Sequence, residues 1–134
     1  NRNIERPIKE TSVFLLSNIS NGISIRALAK IIELKNLSTV KSVIATFEKA
    51  FLFFFVNKFD YSIKKQIQNP RKVYCVDSGF AGEVGFRFSE NKGRALENVV
   101  FIELKRRGGE IYYHSGENEC DFVIREKTKI IQAH

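Results

Sequence analysis

Two acidic residues occupy positions where a packed element would not ordinarily carry charge. Glu97 lies in a helical pattern one turn before Phe101, so its carboxylate is directed to the margin of a buried face. Asp121 lies in a strand-like run, where alternation puts it on the face opposite Phe122. Carboxylates are ligands of hard divalent ions such as Mg²⁺, which can polarise a phosphodiester and activate water. The structural alternative pairs Glu97 with a basic residue such as Arg94 and lets Asp121 cap a turn.

One helix and three strands would position these side chains. The segment 94–107 has apolar residues at helical spacing, and the residues predicted to form its buried face are Leu96, Val99, Val100, Ile102 and Leu104. Gly108-Gly109 should end this helix. Strand-like runs at 110–114 and 120–125 predict a hairpin, and a third run at 129–133 places Gln132 and His134 on a common face.

Three motifs carry a resemblance to a known family. The sequence reads NPRKVYCVDSGF over 69–80, GRALENVVFIELKRRG over 93–108 and ENECDFVI over 117–124. These motifs, in this order, are similar to the C-terminal region of archaeal-type AAA+ ATPases, in which a P-loop domain precedes a winged helix and a nuclease-like domain. The resemblance covers the chain from about residue 19 onward.

The resemblance implies a metal site of the PD-(D/E)xK nuclease type. Glu97, Asp121 and Gln132 match the positions that bind the divalent metal in that fold, here Mg²⁺. His134 stands where the family has a catalytic Lys, and a neutral imidazole supplies no fixed positive charge. With Gln132 in place of an acid, we expect weak Mg²⁺ binding and little or no hydrolysis.

The first half of the chain predicts a winged helix. After an N-terminal helical segment, a helix over 25–34 with Ser24 as its cap precedes a helix over 38–50, as in a helix-turn-helix. An apolar run over 51–56 and a second run over 59–67 then predict a hairpin. The alternative is another three-helix packing unit.

Basic residues suggest an acidic partner. The chain has 134 residues and a formal net charge of +7, which favours a polyanion or an acidic protein surface over a neutral partner. On this reasoning the DNA-contacting residues are Lys41, Lys49, Lys64, Lys65, Arg71 and Lys72. The alternative for the cluster over 64–72 is a solvated basic loop.

The sequence therefore predicts an α+β chain with a winged helix over 1–70 and, over 71–134, a partial restriction-endonuclease-like domain of α-β-β-β order. We expect a DNA-binding, nuclease-like C-terminal fragment of an AAA+ ATPase, with ATP bound only in a separate N-terminal domain, because no P-loop motif occurs. The alternative is a non-catalytic module that docks on its own ATPase domain or on another protein. Reduced cysteines and the lack of a long apolar run favour the cytoplasm and no membrane segment, and oligomerisation is compatible with such a region.

Overall fold

The computed structural model describes residues 2–77, 79, 92–126 and 129–133. Its elements, in chain order, are α1 (Arg2–Ser17), β1 (Gly22–Ile23), α2 (Ile25–Ile31), α3 (Leu37–Lys49), β2 (Phe53–Val56), α4 (Ile63–Gln68), β3 (Arg71–Cys75), α5 (Lys92–Arg107), β4 (Glu110–His114), β5 (Cys120–Glu126) and β6 (Lys129–Ala133). One antiparallel sheet has the order β1-β3-β2, and a second has the order β4-β5-β6. The fold is α+β, as predicted.

Side-chain caps separate α2 from α3. Ser24 begins α2 by accepting a hydrogen bond from the backbone N–H of Ala27 at 3.2 Å, which confirms the predicted cap. Helix α3 was predicted over 38–50. It spans Leu37–Lys49 instead, and its cap is Asn36. The Oδ1 atom of Asn36 accepts a hydrogen bond from the backbone N–H of Ser38 at 3.0 Å. Local hydrogen bonding thus sets both helix starts.

The first core lies between helices α1–α3 and one face of the first sheet. The inward residues of α2 and α3 are buried as predicted, and Val73 and Cys75 of β3 complete the core. The buried members are Leu15, Leu16, Ile19, Ile23, Leu28, Ala29, Ile32, Val40, Val43, Ile44, Phe47, Phe53, Val73 and Cys75. Burial of this apolar surface is the main force that holds the three helices to the sheet.

The segment after β2 differs from the prediction. A strand over 59–67 was expected to pair with β2, but Ile63–Gln68 forms α4 and β2 pairs with β3 instead. The Oδ1 atom of Asp60 accepts a hydrogen bond from the N–H of Ser62 at 2.8 Å. The Oγ atom of Ser62 in turn accepts one from the N–H of Lys65 at 3.4 Å. These caps favour a helical turn, which a search for apolar alternation does not detect.

Helix α5 packs through a different face from the predicted one. Asn98, Phe101 and Leu104 are 1%, 2% and 4% exposed, whereas Leu96 and Val99 are 66% and 52% exposed. Only part of the predicted face is therefore buried. The reason is that Phe101 stacks on an aromatic ring of β3 and that Asn98 bonds to the β3 backbone, so a buried amide takes the place of an aliphatic side chain.

Asn98 continues the hydrogen bonding of β3 where β1 ends. Its Oδ1 atom accepts from the N–H of Cys75 at 2.8 Å, and its Nδ2 atom donates to the Cys75 carbonyl at 2.9 Å. Two residues earlier, Val73 exchanges backbone hydrogen bonds with Ser20 and Asn21 on the same side of the strand. The amide of Asn98 thus satisfies buried backbone groups that would otherwise lack a partner.

A second core forms on the other face of β3. Its buried residues are Val56, Tyr74, Phe101, Leu104, Tyr113, Phe122 and Ile124.

The predicted strands β4, β5 and β6 are all present, and Gly108 and Gly109, with φ of +83° and +93°, end α5 as expected. A boundary between two domains was predicted at residue 70. Strand β3 begins directly after it, at Arg71, but lies between β1 and β2, which both precede residue 70. Within the described ranges, no helix has the length and apolar character that a membrane crossing requires.

Replacing Asn98 by Ala should lower the free energy of unfolding by about 2–4 kcal/mol, because the N–H and C=O of Cys75 would lose their partners while buried. Urea unfolding monitored by circular dichroism measures this change. Val99→Ala on the exposed side of α5 is the control and should change stability by less than about 0.5 kcal/mol. Equal effects of the two substitutions would contradict the role assigned to Asn98.

Candidate functional site

The two predicted acids are brought together by a lysine. The Nζ atom of Lys72, on β3, lies 3.2 Å from Oε1 of Glu97 on α5 and 3.5 Å from Oδ1 of Asp121 on β5. The side chains of Lys72 and Glu97 are 19% and 17% exposed, whereas that of Asp121 is 59% exposed. Glu97 and Asp121 therefore face one point, and the group at that point is the ammonium of Lys72.

Glu97 is also held by a buried phenol. The hydroxyl of Tyr74 donates to Oε1 of Glu97 at 2.6 Å, and its ring stacks on Phe101 with a centroid distance of 4.4 Å. Burial, and next the hydrogen bond to Glu97, raise the pKa of Tyr74 well above its ordinary value of 10.0. Tyr74 therefore remains a hydrogen-bond donor over the whole physiological pH range.

Aromatic contacts enclose the lysine further. The Nζ atom of Lys72 lies 5.4 Å from the ring centroid of Tyr113, within the range of a cation–π contact. The hydroxyl of Tyr113 donates to the carbonyl of Pro70, just before β3. We call Lys72, Tyr74, Glu97 and Asp121 the lysine cluster, and it joins the first sheet to α5 and β5.

The lysine cluster does not fit Mg²⁺ as the side chains stand. Mg²⁺ requires near-octahedral oxygen ligation at about 2.0–2.1 Å, whereas the two carboxylates converge on a nitrogen cation. Among the described residues, no group of three or more His, Cys, Asp or Glu side chains could hold a metal ion. Gln132 lies on β6, where its backbone pairs with Ile124, and its side chain and His134 lie outside the described residues.

The predicted DNA-contacting residues fall into two groups. Lys41, Lys49, Lys64 and Lys65 are exposed on α3 and α4. Lys72 differs, because its ammonium is committed to two carboxylates on the far side of β3 and does not lie with the exposed lysines.

Arg71 points to the opposite side of β3 from Lys72, as strand alternation requires. Its guanidinium lies 3.3 Å from Glu48 and 4.8 Å from the ring centroid of Phe55. These contacts hold the Arg71 side chain in place at the edge of a groove.

That groove lies between the N-terminal ends of α2 and α3 and the C-terminal end of α4. It has a volume of about 600 Å³ and is lined by the cations Arg26, Lys41 and Arg71, with no carboxylate among its lining residues. Two further grooves of the described chain each have two glutamates in their lining. These are Glu48 and Glu110 in one groove and Glu10 and Glu33 in the other. We call the first one the basic groove, because among these three grooves of the described residues its lining contains cations and no acid.

Sequence reasoning missed Arg26 as a member of the basic groove. The available signal was its position two residues after the Ser24 cap, on the outward side of α2. Only the tertiary structure, in which a groove separates the end of α4 from the starts of α2 and α3, shows that Arg26, Lys41 and Arg71 border one groove.

Comparison with known proteins gives a family and distant relatives. Residues 2–91 match the model of a family described as "Domain of unknown function (DUF8612)". An uncharacterized protein of Methanocaldococcus jannaschii is 35% identical in an alignment 140 residues long that covers 95% of this chain and 31% of that protein. An uncharacterized protein of Haemophilus influenzae is 26% identical in an alignment 129 residues long that covers 92% of this chain and 32% of that protein. The chain spans about a third of the length of these curated relatives. No solved structure matches it.

Replacing Lys72 by Met should lower the free energy of unfolding by about 2–3 kcal/mol, because Glu97 would stay largely buried without its cation. The full cost of breaking a buried pair is not expected, since both side chains keep some exposure. Lys65→Met on exposed α4 is the control for the same chemical change. A difference between the two variants below about 0.5 kcal/mol in urea unfolding would show that the cluster does not stabilise the fold.

The pH dependence of stability should identify the Tyr74–Glu97 hydrogen bond. The folded-state pKa of Tyr74 is raised, so the stability that it contributes is present below the unfolded-state pKa near 10.0 and declines as pH rises further. Wild type should exceed Tyr74→Phe in unfolding free energy at pH 8. Above pH 10 the difference should shrink by about 1.4 kcal/mol per pH unit. A constant difference up to about pH 11 in urea titrations would contradict this assignment.

Proposed function

We propose that this chain, which belongs to the family described as a domain of unknown function (DUF8612), binds duplex DNA through the basic groove. The observation that carries the proposal is the groove lining, in which Arg26, Lys41 and Arg71 are the charged residues and no carboxylate occurs. Nucleic acid backbones are recognised largely by such cations, because each phosphate that is neutralised releases counterions. The formal net charge of +7 adds a long-range attraction to the same partner.

The element order supports a winged-helix interpretation of this half of the chain. Helices α2 and α3 are joined by a short polar turn, and α3 presents Lys41 and Ser42 outward, as the second helix of a helix-turn-helix does. The antiparallel β2–β3 pair follows, and the connection between these strands, which contains α4, corresponds to the wing. On this interpretation the basic groove lies between recognition helix and wing.

The lengths of the relatives and the sequence motifs support the proposal that the DNA-binding region is part of a longer protein. Both curated relatives are about three times the length of this chain. The motifs over 69–80, 93–108 and 117–124 resemble the C-terminal region of archaeal-type AAA+ ATPases. Our proposal is therefore that this region delivers an attached ATPase domain to DNA in the cytoplasm.

The lysine cluster adds no hydrolytic step to this proposal. A PD-(D/E)xK site would need a divalent ion at Glu97 and Asp121, and these two carboxylates are instead shared by Lys72. Their arrangement supports a structural part for the cluster, which is to hold α5 and β5 against β3.

A second candidate function is docking on a protein, either the chain's own ATPase domain or a separate partner. The observation that favours it is an apolar strip on α5, where Leu96, Val99 and Val100 are 66%, 52% and 37% exposed. Exposed apolar residues on consecutive turns are typical of a protein contact surface. This strip lies on α5, away from the basic groove, so both functions are compatible in one molecule.

Binding of a labelled duplex of about 20 bp, followed by fluorescence anisotropy, tests the proposal. If three or four phosphates are neutralised, log K should fall against log salt with a slope of roughly −3 to −4. The double variant Arg26→Ala/Lys41→Ala should reduce the magnitude of this slope by about 2.

The matched control removes the same charge elsewhere. Arg106→Ala/Arg107→Ala at the end of α5 also lowers the net charge by two, from residues that are 77% and 67% exposed. This variant should keep the wild-type slope. Equal losses in both double variants would contradict the basic groove as the binding site, and the absence of binding at low salt would favour the docking function.

A further inference from the structure

Helix α4 and Tyr61, which lies just before the Ser62 cap of that helix, carry large apolar side chains that are exposed. Tyr61, Ile63 and Ile67 are 82%, 67% and 78% exposed. Ile63 and Ile67 are four residues apart and therefore neighbours on the helix surface. We call these three residues the α4 ridge. Their exposure costs solubility and contributes little to the cores, so an external contact is the natural explanation.

The isoleucines of the α4 ridge are exposed on a helix whose two ends are both closed by hydrogen bonds. At the start of α4, Ser62 caps the helix, and the buried Gln66 donates from Nε2 to the carbonyl of Asp60. At its end, the Nδ2 atom of Asn69 donates to the carbonyl of Lys65 at 2.8 Å. Side-chain hydrogen bonds thus close the helix at both ends, which keeps Ile63 and Ile67 on one helical face.

Charge around the ridge favours a nucleic acid. Lys64 and Lys65 are exposed and lie between the two isoleucines in sequence, and the stretch 61–71 contains no carboxylate. Ile67 also lines the basic groove beside Arg71. A ligand in the basic groove therefore meets the α4 ridge at the groove edge.

The position of the ridge indicates which part of DNA it would contact. If the basic groove holds a phosphate backbone, α3 and α4 face the two DNA grooves on either side of that backbone. Helix α3 presents the polar residues Lys41 and Ser42, which suit the hydrogen-bonding edges of the major groove. Helix α4 presents apolar residues, which suit the sugar walls and base steps of the minor groove.

Resting on the proposed DNA binding, we infer that the α4 ridge enters the minor groove as an apolar wedge, with Lys64 and Lys65 on the flanking phosphates. An apolar contact releases no counterions, so it should add affinity that does not depend on salt. Cationic contacts should add affinity that does. The two contributions of α4 can therefore be separated in one salt titration.

The test compares Ile63→Ser/Ile67→Ser with Lys64→Ala/Lys65→Ala in anisotropy titrations on the same duplex. The isoleucine variant should bind about tenfold more weakly at every salt concentration, with an unchanged slope. The lysine variant should lose about 1.8 from the magnitude of the slope. The control Val13→Ser/Ile31→Ser, at 47% and 56% exposed positions on α1 and α2, should bind as wild type. Wild-type affinity of the isoleucine variant would overturn the inference.

A second experiment tests contact with the minor groove of DNA directly. Inosine·cytosine pairs lack the amino group that guanosine places in the minor groove and leave the major groove unchanged. Wild type should bind a duplex with inosine·cytosine pairs more tightly than its guanosine·cytosine counterpart, and Ile63→Ser/Ile67→Ser should lose this preference. Equal affinity of wild type for both duplexes would overturn minor-groove contact.

Two outcomes remain to be distinguished. Failure of wild type to bind either duplex would overturn the DNA-binding function as well as the wedge. Normal wild-type binding with no effect of the isoleucine substitutions would overturn the wedge alone and leave the ridge to a protein partner. Circular dichroism checks folding, and Ile67→Ser alone supplies the same comparison if the double variant unfolds.

Discussion

The contact between β3 and α5 is the interaction on which the rest of the structure depends. Strand β3 is buried on both faces, with Val73 and Cys75 in the first core and Tyr74 in the second. Helix α5 covers the second face through the Tyr74–Phe101 stack and the Asn98–Cys75 hydrogen bonds. Because one strand serves two cores, it links the two sheets, which also meet directly where Tyr113 exchanges backbone hydrogen bonds with Asn57 and Phe59.

Charge on β3 follows the same division. Arg71 faces the basic groove, whereas Lys72 faces α5 and β5, where two carboxylates neutralise it. Adjacent cations in the sequence therefore have different surroundings: Arg71 pairs with Glu48 at the edge of the basic groove, and Lys72 pairs with Glu97 and Asp121 on the other side of the strand. The acids that in the nuclease-like interpretation would hold a metal are used here to secure the strand that carries Arg71.

Two groups of exposed apolar residues lie at α4 and on α5, and others, such as Val13, Ile31 and Phe51, lie elsewhere on the described chain. Those of α4 adjoin cations and the basic groove, which is why a nucleic acid suits them. Those of α5 lie beside Asn98 and Phe101 on the helix but turn away from β3, and they suit a protein surface.

Local signals in the sequence determined the elements whose hydrogen bonds are local. The Ser24 cap, the inward faces of α2 and α3, the Gly108-Gly109 stop and the three C-terminal strands could all be predicted, because caps, periodicity and glycine conformation act over a few residues. Glu97 and Asp121, which the sequence singled out as candidate site residues, lie 3.2 and 3.5 Å from the same Nζ atom of Lys72.

Only the tertiary structure decided what those residues contact. Lys72 meets Glu97 across 25 residues, and Asn98 meets Cys75 across 23, so no local pattern contains either pair. The burial of Asn98 in place of Leu96 likewise depends on backbone groups of β3 that α5 must satisfy. Periodicity records which side chains are apolar, but the free energy of a buried polar group depends on its partner, and that partner is brought by the fold.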